Sequence, residues 1–128
     1  MKKVLLVDDD PIFNLIGKTL IQKVSNSSCE IIDFINPYDA IQFLKDNKDN
    51  NDIWPDLIFL DLRMPMYDGF EFLYDLDKFI DEVKKQNTSL YILSSSINLI
   101  DIEKSKKHRI VKDFISKPLT ETIIKRLL

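Results

Sequence analysis

Charged and hydroxyl side chains follow short apolar runs at several places in this sequence. Asp61 comes directly after residues 57–60 (LIFL), and Asp8 and Asp9 come directly after residues 4–7 (VLLV). Continuous apolar runs of this length are typical of strands that are covered on both faces. Each run therefore predicts a buried strand whose carboxyl end carries carboxylates.

Two later runs end in hydroxyls and an amine. Residues 90–93 (LYIL) lead into three serines, of which Ser94 is the first, and residues 113–116 (DFIS) lead into Lys117. In an open α/β sheet, ligands bind at the edge formed by the carboxyl ends of the strands. We therefore expect the acids, the hydroxyls and the amine to lie together at one edge of a sheet.

These residue types suit the binding of a metal ion and the transfer of a phosphoryl group. Neighbouring carboxylates repel one another unless a cation or a proton relieves the repulsion, and Mg²⁺ commonly binds one or two carboxylates together with phosphate oxygens. The sequence predicts an Mg²⁺ site at Asp9 and Asp61, with Asp8 acting directly or through water. Lys117 can pair with a carboxylate or with a phosphoryl oxygen. Asp61, from the middle of the series, is the candidate nucleophile that would form an aspartyl phosphate.

The segments that would hold these side chains alternate between strand and helix. Another strand is predicted at residues 30–35, and helical spacing of apolar residues predicts a helix in each connection and one at the end, near 11–24, around 40–44, and at 70–85, 98–109 and 119–128. This (βα)₅ order predicts an α/β fold with a five-stranded parallel sheet, right-handed crossovers and helices on both faces.

Two helices carry a clear apolar stripe. The first is expected to be amphipathic, with its stripe made of Ile12, Leu15, Ile16, Leu20 and Val24. The 70–85 helix is expected to turn inward Leu73, Leu76, Ile80 and Val83. The 98–109 segment is more strongly charged, so we expect it to pack less firmly.

Length and composition restrict the class of protein. With 128 residues, 45% hydrophobic and 30% charged, the chain is expected to form one soluble domain over residues 1–128. A net charge of -3 gives no reason to expect nucleic-acid binding, and no apolar run approaches the roughly 20 residues of a membrane span. The lone Cys29 excludes an intrachain disulfide. We therefore expect a cytoplasmic protein with neither a nucleic-acid nor a membrane partner.

Four segments resemble the signature segments of the receiver domain of two-component response regulators. They are VDDDP at 7–11, LDLRMPMYDG at 60–69, LSSS at 93–96 and FISKPL at 114–119. One such match is weak, but four in this order over nearly the whole chain are specific. The resemblance implies a flavodoxin-like fold. It also implies a stand-alone receiver domain without an output domain, because the chain ends where an output domain would begin.

The resemblance further implies roles for individual residues. Asp61 would accept a phosphoryl group from a histidine kinase or a histidine phosphotransfer protein. Asp8 and Asp9 would bind Mg²⁺, and Arg63 would offer its backbone carbonyl to the metal.

The same resemblance implies a switch at the ends of the last two strands. Ser94 would turn its hydroxyl toward the phosphoryl group, and Lys117 would bridge to it, with the bond to Pro118 in cis. In the family, an aromatic residue shortly before the lysine moves with the hydroxyl. Here that residue is Phe114, which lacks the hydroxyl of a tyrosine and suits a plain core position equally well. Residues 110–111 replace a Gly-Ala pair that is frequent in the family, so the loop there is expected to differ.

We therefore predict a phosphorylation-controlled signalling switch. It would catalyse its own phosphorylation and dephosphorylation without turning over an external substrate. A phosphoryl group on Asp61 would bias a two-state surface near the fourth strand, the following helix and the fifth strand. Leu99 and Ile100, on the charged segment there, suit a face that binds a downstream protein, which the sequence does not name.

Two other classes are kept as alternatives. An Mg²⁺-dependent phosphohydrolase would need a second acid two residues after the nucleophile, and Arg63 in that place cannot act as a general acid. A structural adaptor that is never phosphorylated would have no need of the full set of acids, hydroxyl and lysine.

Several other residues are expected to be structural. Asp10 is expected to place a favourable charge at the start of the first helix, and His108 is expected at the surface. Trp54 and Tyr67 are expected to pack loops, and Cys29 is expected to be a small buried side chain.

Overall fold

The computed structural model describes residues 2–96 and 98–128 and shows a five-stranded parallel sheet with helices on both faces. The spatial order of the strands is β2-β1-β3-β4-β5. The predicted fold class is therefore confirmed. In chain order the elements are β1 (Lys3–Val7), α1 (Pro11–Ser25), β2 (Glu30–Phe34), α2 (Pro37–Asp46), β3 (Leu57–Asp61), α3 (Gly69–Asp77), α4 (Glu82–Asn87), β4 (Ser89–Ser94), α5 (Leu99–Ser105), β5 (Val111–Ser116) and α6 (Glu121–Leu127).

The inner strands β1, β3 and β4 are apolar on both faces because each face of the sheet packs against helices. Along β1, Leu5 and Val7 contribute to the cluster shared with α2 and α3, whereas Val4 and Leu6 contribute to the cluster shared with α1 and α6. Central β3 is buried along its whole length, including Asp61 at its end. The continuous apolar runs of the sequence thus mark strands that are covered on both sides.

Helix α1 buries only part of the stripe that its apolar pattern predicts, because Leu20 and Val24 pack against the core but the first three residues of the stripe are exposed. Ile12 and Leu15 are each 65% exposed, whereas the buried residues of the helix are Asn14, Gly17 and Ile21. The Asn14 amide donates to the backbone oxygen of Asp8, just after β1, at 3.0 Å and to that of Phe34, the last residue of β2, at 3.2 Å. A Cβ at Gly17 would lie 3.4 Å from a Leu6 methyl. Helix orientation therefore follows these two close contacts, and part of the apolar stripe faces outward.

The single helix predicted at 70–85 is wrong, because the chain forms two shorter helices there. Helix α3 ends at Asp77, and α4 begins after Asp81, whose side chain accepts from Lys84 N–H at 2.8 Å as an N-cap. Ile80, in the break, is buried as predicted, but Val83 is 63% exposed. The break lets the chain bury Ile80 and then leave the core.

The segment expected to be helical over 98–109 is helical only over α5, and β5 begins two residues earlier than predicted. Within the two described stretches, no helix combines the length and the apolar character needed to cross a bilayer.

Candidate functional site

Three carboxylates meet at the carboxyl edge of the sheet. Asp61 is the last residue of β3, and Asp8 and Asp9 directly follow β1, which pairs with β3. One oxygen from each of the three lies within 4.8 Å of the others. Asp8 and Asp61 are 5% and 4% exposed, whereas Asp9 is exposed. The acids therefore form one cluster, with Asp9 on its solvent side.

Lys117 reaches this cluster from the end of β5. Its ammonium lies 2.8 Å from Asp8 Oδ2 and 3.2 Å from Asp61 Oδ1, and its side chain is 8% exposed. The ammonium also lies 4.2 Å from the centroid of the Phe13 ring on α1, which forms a cation–π contact. The bond from Lys117 to Pro118 is cis. One cation is thus shared by two buried acids.

This sharing shapes the proton affinities of the site. Burial and the neighbouring Asp8 charge raise the pKa of Asp61 to about 6, against the opposing effect of Lys117. Burial alone would lower the pKa of Lys117, but its hydrogen bond to Asp8 and the charges of Asp61 and Asp8 outweigh burial and raise that pKa. Lys117 therefore stays protonated, and the metal-free cluster still carries excess negative charge.

The turn after β1 holds Asp8 in place. The backbone N–H of Asp10 donates to Asp8 Oδ1 at 2.9 Å, and the Asp10 side chain caps α1 by accepting from Ile12 N–H at 2.9 Å. Asn14 donates to the Asp8 backbone oxygen. Asp10 therefore has the structural position expected of it. Asn14 also supports the site, but its role was not predicted from the sequence. A buried amide among apolar helix positions is the signal that could have identified it.

The loop after Asp61 is held by a close turn into α3. A Cβ on Gly69 would lie 3.0 Å from Leu62 Cα and 3.1 Å from the Asp61 backbone oxygen, so a larger residue would displace the loop. Asp68 caps α3 in a reciprocal arrangement with Glu71. The Asp-Gly pair of the sequence therefore sets the direction in which the chain leaves the site.

Two side chains tie the same loop to its surroundings. Tyr67 is 5% exposed, and its hydroxyl donates to Asp75 of α3. Its ring centroid lies 4.5 Å from that of Tyr38. Arg63 donates to the carboxylate of Asp101 on α5. Tyr67 packs this loop as expected, but neither acidic partner was predicted, because the contacts join residues distant in the sequence.

Ser94 is the last residue of β4, beside the end of β3, and Phe114 lies within β5. Ser94 is buried, and its hydroxyl donates to the backbone oxygen of Ser96 at 2.8 Å. Its own backbone oxygen accepts from Lys117 N–H at 2.8 Å. Phe114 is partly buried against the cluster shared with α2 and α3. Ser94 is thus at the predicted edge, with its hydroxyl bonded to its own loop.

The other aromatic and polar residues take structural positions. Trp54 is buried and Cys29 is buried, in keeping with what was expected of them. The His108 side chain, expected at the surface, is only 18% exposed, and its Nδ1 lies 2.7 Å from Asp77 Oδ2. It does not belong to the acid cluster.

The donor set fits a hard divalent cation. Carboxylate oxygens at this spacing are ligands that Mg²⁺ prefers, and the exposed Asp9 leaves a solvent side from which water and a phosphate oxygen can complete its coordination. The excess negative charge gives such a cation a favourable environment.

Comparisons with known proteins agree with this geometry. Residues 4–128 match the family described as response regulator receiver domain. Protein PilG of Pseudomonas aeruginosa is 28% identical over 121 residues, which cover 93% of this chain and 78% of PilG. The hybrid signal transduction histidine kinase L of Dictyostelium discoideum is 32% identical over 98% of this chain, which spans only 7% of that kinase.

The fold comparison leads to the same family. The crystal structure of a two-component response regulator from Cytophaga hutchinsonii superposes with a TM-score of 0.84 and 31% identity, covering 99% of this chain and 93% of that one. Receiver domains of this family are phosphorylation-controlled signalling switches, and the cluster of acids around Lys117 is consistent with that function. With a family match over nearly its whole length, the chain belongs to the receiver domains of two-component response regulators.

Proposed function

We propose that Asp61 accepts a phosphoryl group from a phosphohistidine, with Mg²⁺ held by Asp8, Asp9, Asp61 and the backbone carbonyl of Arg63. The observation that carries this proposal is the acid cluster at the carboxyl edge of the sheet, where Lys117, from the end of β5, contacts both Asp8 and Asp61. In the transfer, the P–N bond of the donor breaks and a P–O bond forms at Asp61. The electron pair of the broken bond returns to the imidazole. When bound, Mg²⁺ would neutralise charge on the phosphoryl oxygens.

Lys117 and Ser94 are the residues that would hold the transferred group. Lys117 already contacts both buried acids, so a small shift brings its ammonium to a phosphoryl oxygen. The Ser94 hydroxyl would exchange the Ser96 backbone oxygen for a phosphoryl oxygen. Phe114, partly buried on the neighbouring strand, would adjust its packing with that movement. These changes would alter the protein-binding face.

Exposed apolar residues suggest where protein partners would dock. Ile12, Leu15 and Ile16 are 65%, 65% and 44% exposed on the helix that follows Asp8 and Asp9. A histidine kinase or a histidine phosphotransfer protein must approach this edge to place its phosphohistidine in line with Asp61. We propose this face of α1 for the donor and the surface around α5 and β5 for a downstream protein.

The remaining parts of the function follow from the same site. We propose that the protein does not turn over external phosphate esters, because Arg63 replaces the acid that would protonate a leaving alcohol. A cytoplasmic location fits phosphoryl transfer from a kinase. The lack of a nucleic-acid partner and of a membrane partner stays a prediction from the sequence.

The test compares wild type with Asp61→Asn and with Asp49→Asn, which removes an exposed acid from the loop between α2 and β3. Each protein is incubated with radiolabelled phosphoramidate, with and without Mg²⁺. We expect Mg²⁺-dependent, acid-stable and base-labile label on wild type and Asp49→Asn, and none on Asp61→Asn. Equal labelling of Asp61→Asn would contradict the assignment of the acceptor. Multiple turnover of a generic phosphate ester would instead favour a phosphohydrolase.

A further inference from the structure

The Arg63 side chain joins the site loop to α5. Its guanidinium donates to the carboxylate of Asp101, which lies in the first turn of α5 and is 6% exposed. The backbone N–H of Arg63 lies 3.4 Å from Asp61 Oδ1. This ion pair therefore links the loop that follows the proposed phosphoryl acceptor, Asp61, to α5, a helix of the proposed docking surface for a downstream protein.

The buried end of this pair depends on its cation. A carboxylate as enclosed as Asp101 is costly to leave without a partner, whereas the Arg63 side chain is 58% exposed and can move. A second contact between α5 and the site region is the Lys104 ammonium, 4.2 Å from the centroid of the Phe70 ring on α3. Helix α5 is thus held toward the site by two cationic side chains, of which Arg63 is the one nearer to Asp61 in the sequence.

Phosphorylation would create a competitor for this arginine. A phosphoryl group carries a charge of about -1.5 to -2 near neutral pH. Lys117 would bind one phosphoryl oxygen while it stays close to Asp8 and Asp61, and the loop that follows Asp61 supplies a second cation, Arg63. The planar guanidinium binds phosphate oxygens in a bidentate manner as readily as it binds a carboxylate.

We propose that Asp101 and the phosphoryl group on Asp61 compete for the guanidinium of Arg63, so that phosphorylation releases α5 from the site loop. This rests on the proposed phosphorylation of Asp61 and adds Asp101 as a positioning residue. Once released, Asp101 must become hydrated or find another partner, so α5 shifts. Leu99 and Ile100 on that helix are 77% and 70% exposed, and the shift therefore changes the apolar surface that a partner meets.

The test measures how tightly beryllofluoride, a mimic of the phosphoryl group, binds in saturating Mg²⁺. Because coupling between two sites is reciprocal, removing the competitor must tighten binding. We expect Asp101→Asn to lower the half-saturating beryllofluoride concentration by roughly fivefold or more. The matched control is Glu103→Gln, which removes a carboxylate from the same helix. Among the described contacts, the Glu103 carboxylate pairs only with Lys106. It should change the value by less than about twofold.

An Arg63→Gln background separates competition from a general effect on folding. There, the further change Asp101→Asn should no longer tighten binding, because no guanidinium is left to compete for. In Arg63→Gln without ligand, the amide NMR resonances of α5 should already lie toward the positions that they take in beryllofluoride-bound wild type. This second readout also serves if Asp101→Asn fails to fold, and unmoved resonances would overturn the proposal.

The two levels of proposal fail differently. Wild type that binds no beryllofluoride would overturn phosphorylation of Asp61 and the competition with it. Wild type that binds, with Asp101→Asn unchanged or weaker, would overturn only the competition.

Discussion

Buried polar side chains at the two ends of the sheet differ in whether each one has a partner of its own. At the amino end, the Trp54 indole N–H donates to Thr88 Oγ1 at 2.9 Å, and both residues are buried. At the carboxyl end, Asp8 and Asp61 are equally buried but share the one ammonium of Lys117. At the amino end a neutral donor has a neutral acceptor, whereas at the carboxyl end two buried acids share one cation. The amino end therefore stabilises the fold, and the carboxyl end holds charge that a ligand can neutralise.

The largest effect expected from this contrast is at the amino end. Trp54→Ala removes a buried ring and should lower the free energy of unfolding by about 3–5 kcal/mol. Because the ring lies away from the acids, the loss should be the same with and without Mg²⁺. Chemical denaturation at both metal concentrations measures it. A loss that saturating Mg²⁺ largely restores would show that the two ends are not independent.

A change of opposite sign is expected at the carboxyl end. The folded-state pKa of Asp61, about 6, lies above the ordinary value of 3.8, so ionisation of Asp61 costs stability as pH rises from about 4 through 6. Asp61→Asn should therefore stabilise the metal-free protein at pH 7.5, by about 1–2 kcal/mol after allowance for screening by solvent.

Two conditions should remove this gain in stability. Near pH 4, Asp61 is largely protonated when folded, so wild type and variant should converge. Saturating Mg²⁺ should also reverse the difference, since it stabilises wild type by binding. Thermal unfolding across pH 4–8 tests both, and a gain that is constant across this range would contradict the assigned cause.

The smallest expected change in the free energy of unfolding concerns the neutral hydrogen bond between Trp54 and Thr88. Thr88→Val keeps the shape of the side chain but leaves the Trp54 indole N–H without its acceptor, and it should cost about 1 kcal/mol. Neither Thr88 nor Trp54 titrates in this range, so the cost should not change between pH 5 and 8. Denaturation at several pH values measures it. A cost that follows pH as Asp61→Asn does would remove the distinction between the two ends.

The site edge could be predicted from the sequence because strand ends in a parallel sheet converge. Asp8 and Asp61 directly follow short apolar runs, Lys117 follows the predicted strand at residues 113–116, and the order of these strands brings the three residues together. The pairing of Arg63 with Asp101 could not be predicted, because it depends on the orientation of α5.

Helix packing was less predictable than the sheet. In α1 the apolar stripe containing Leu15 competes with a second face containing Asn14 and Gly17, and close approach to β1 favours the second. Apolar spacing alone cannot choose between two such faces. The break between α3 and α4 has an acidic cap at Asp81 but neither proline nor glycine, so the usual signals of helix termination are missing.

The contact between Lys117 and Asp8 joins residues 109 positions apart in the chain. During synthesis, the first acids are made long before the Lys117 amine that offsets part of their charge. Only after residue 117 has left the ribosome can the site assemble. Formation of the complete site therefore requires residues from near both ends of the 128-residue sequence.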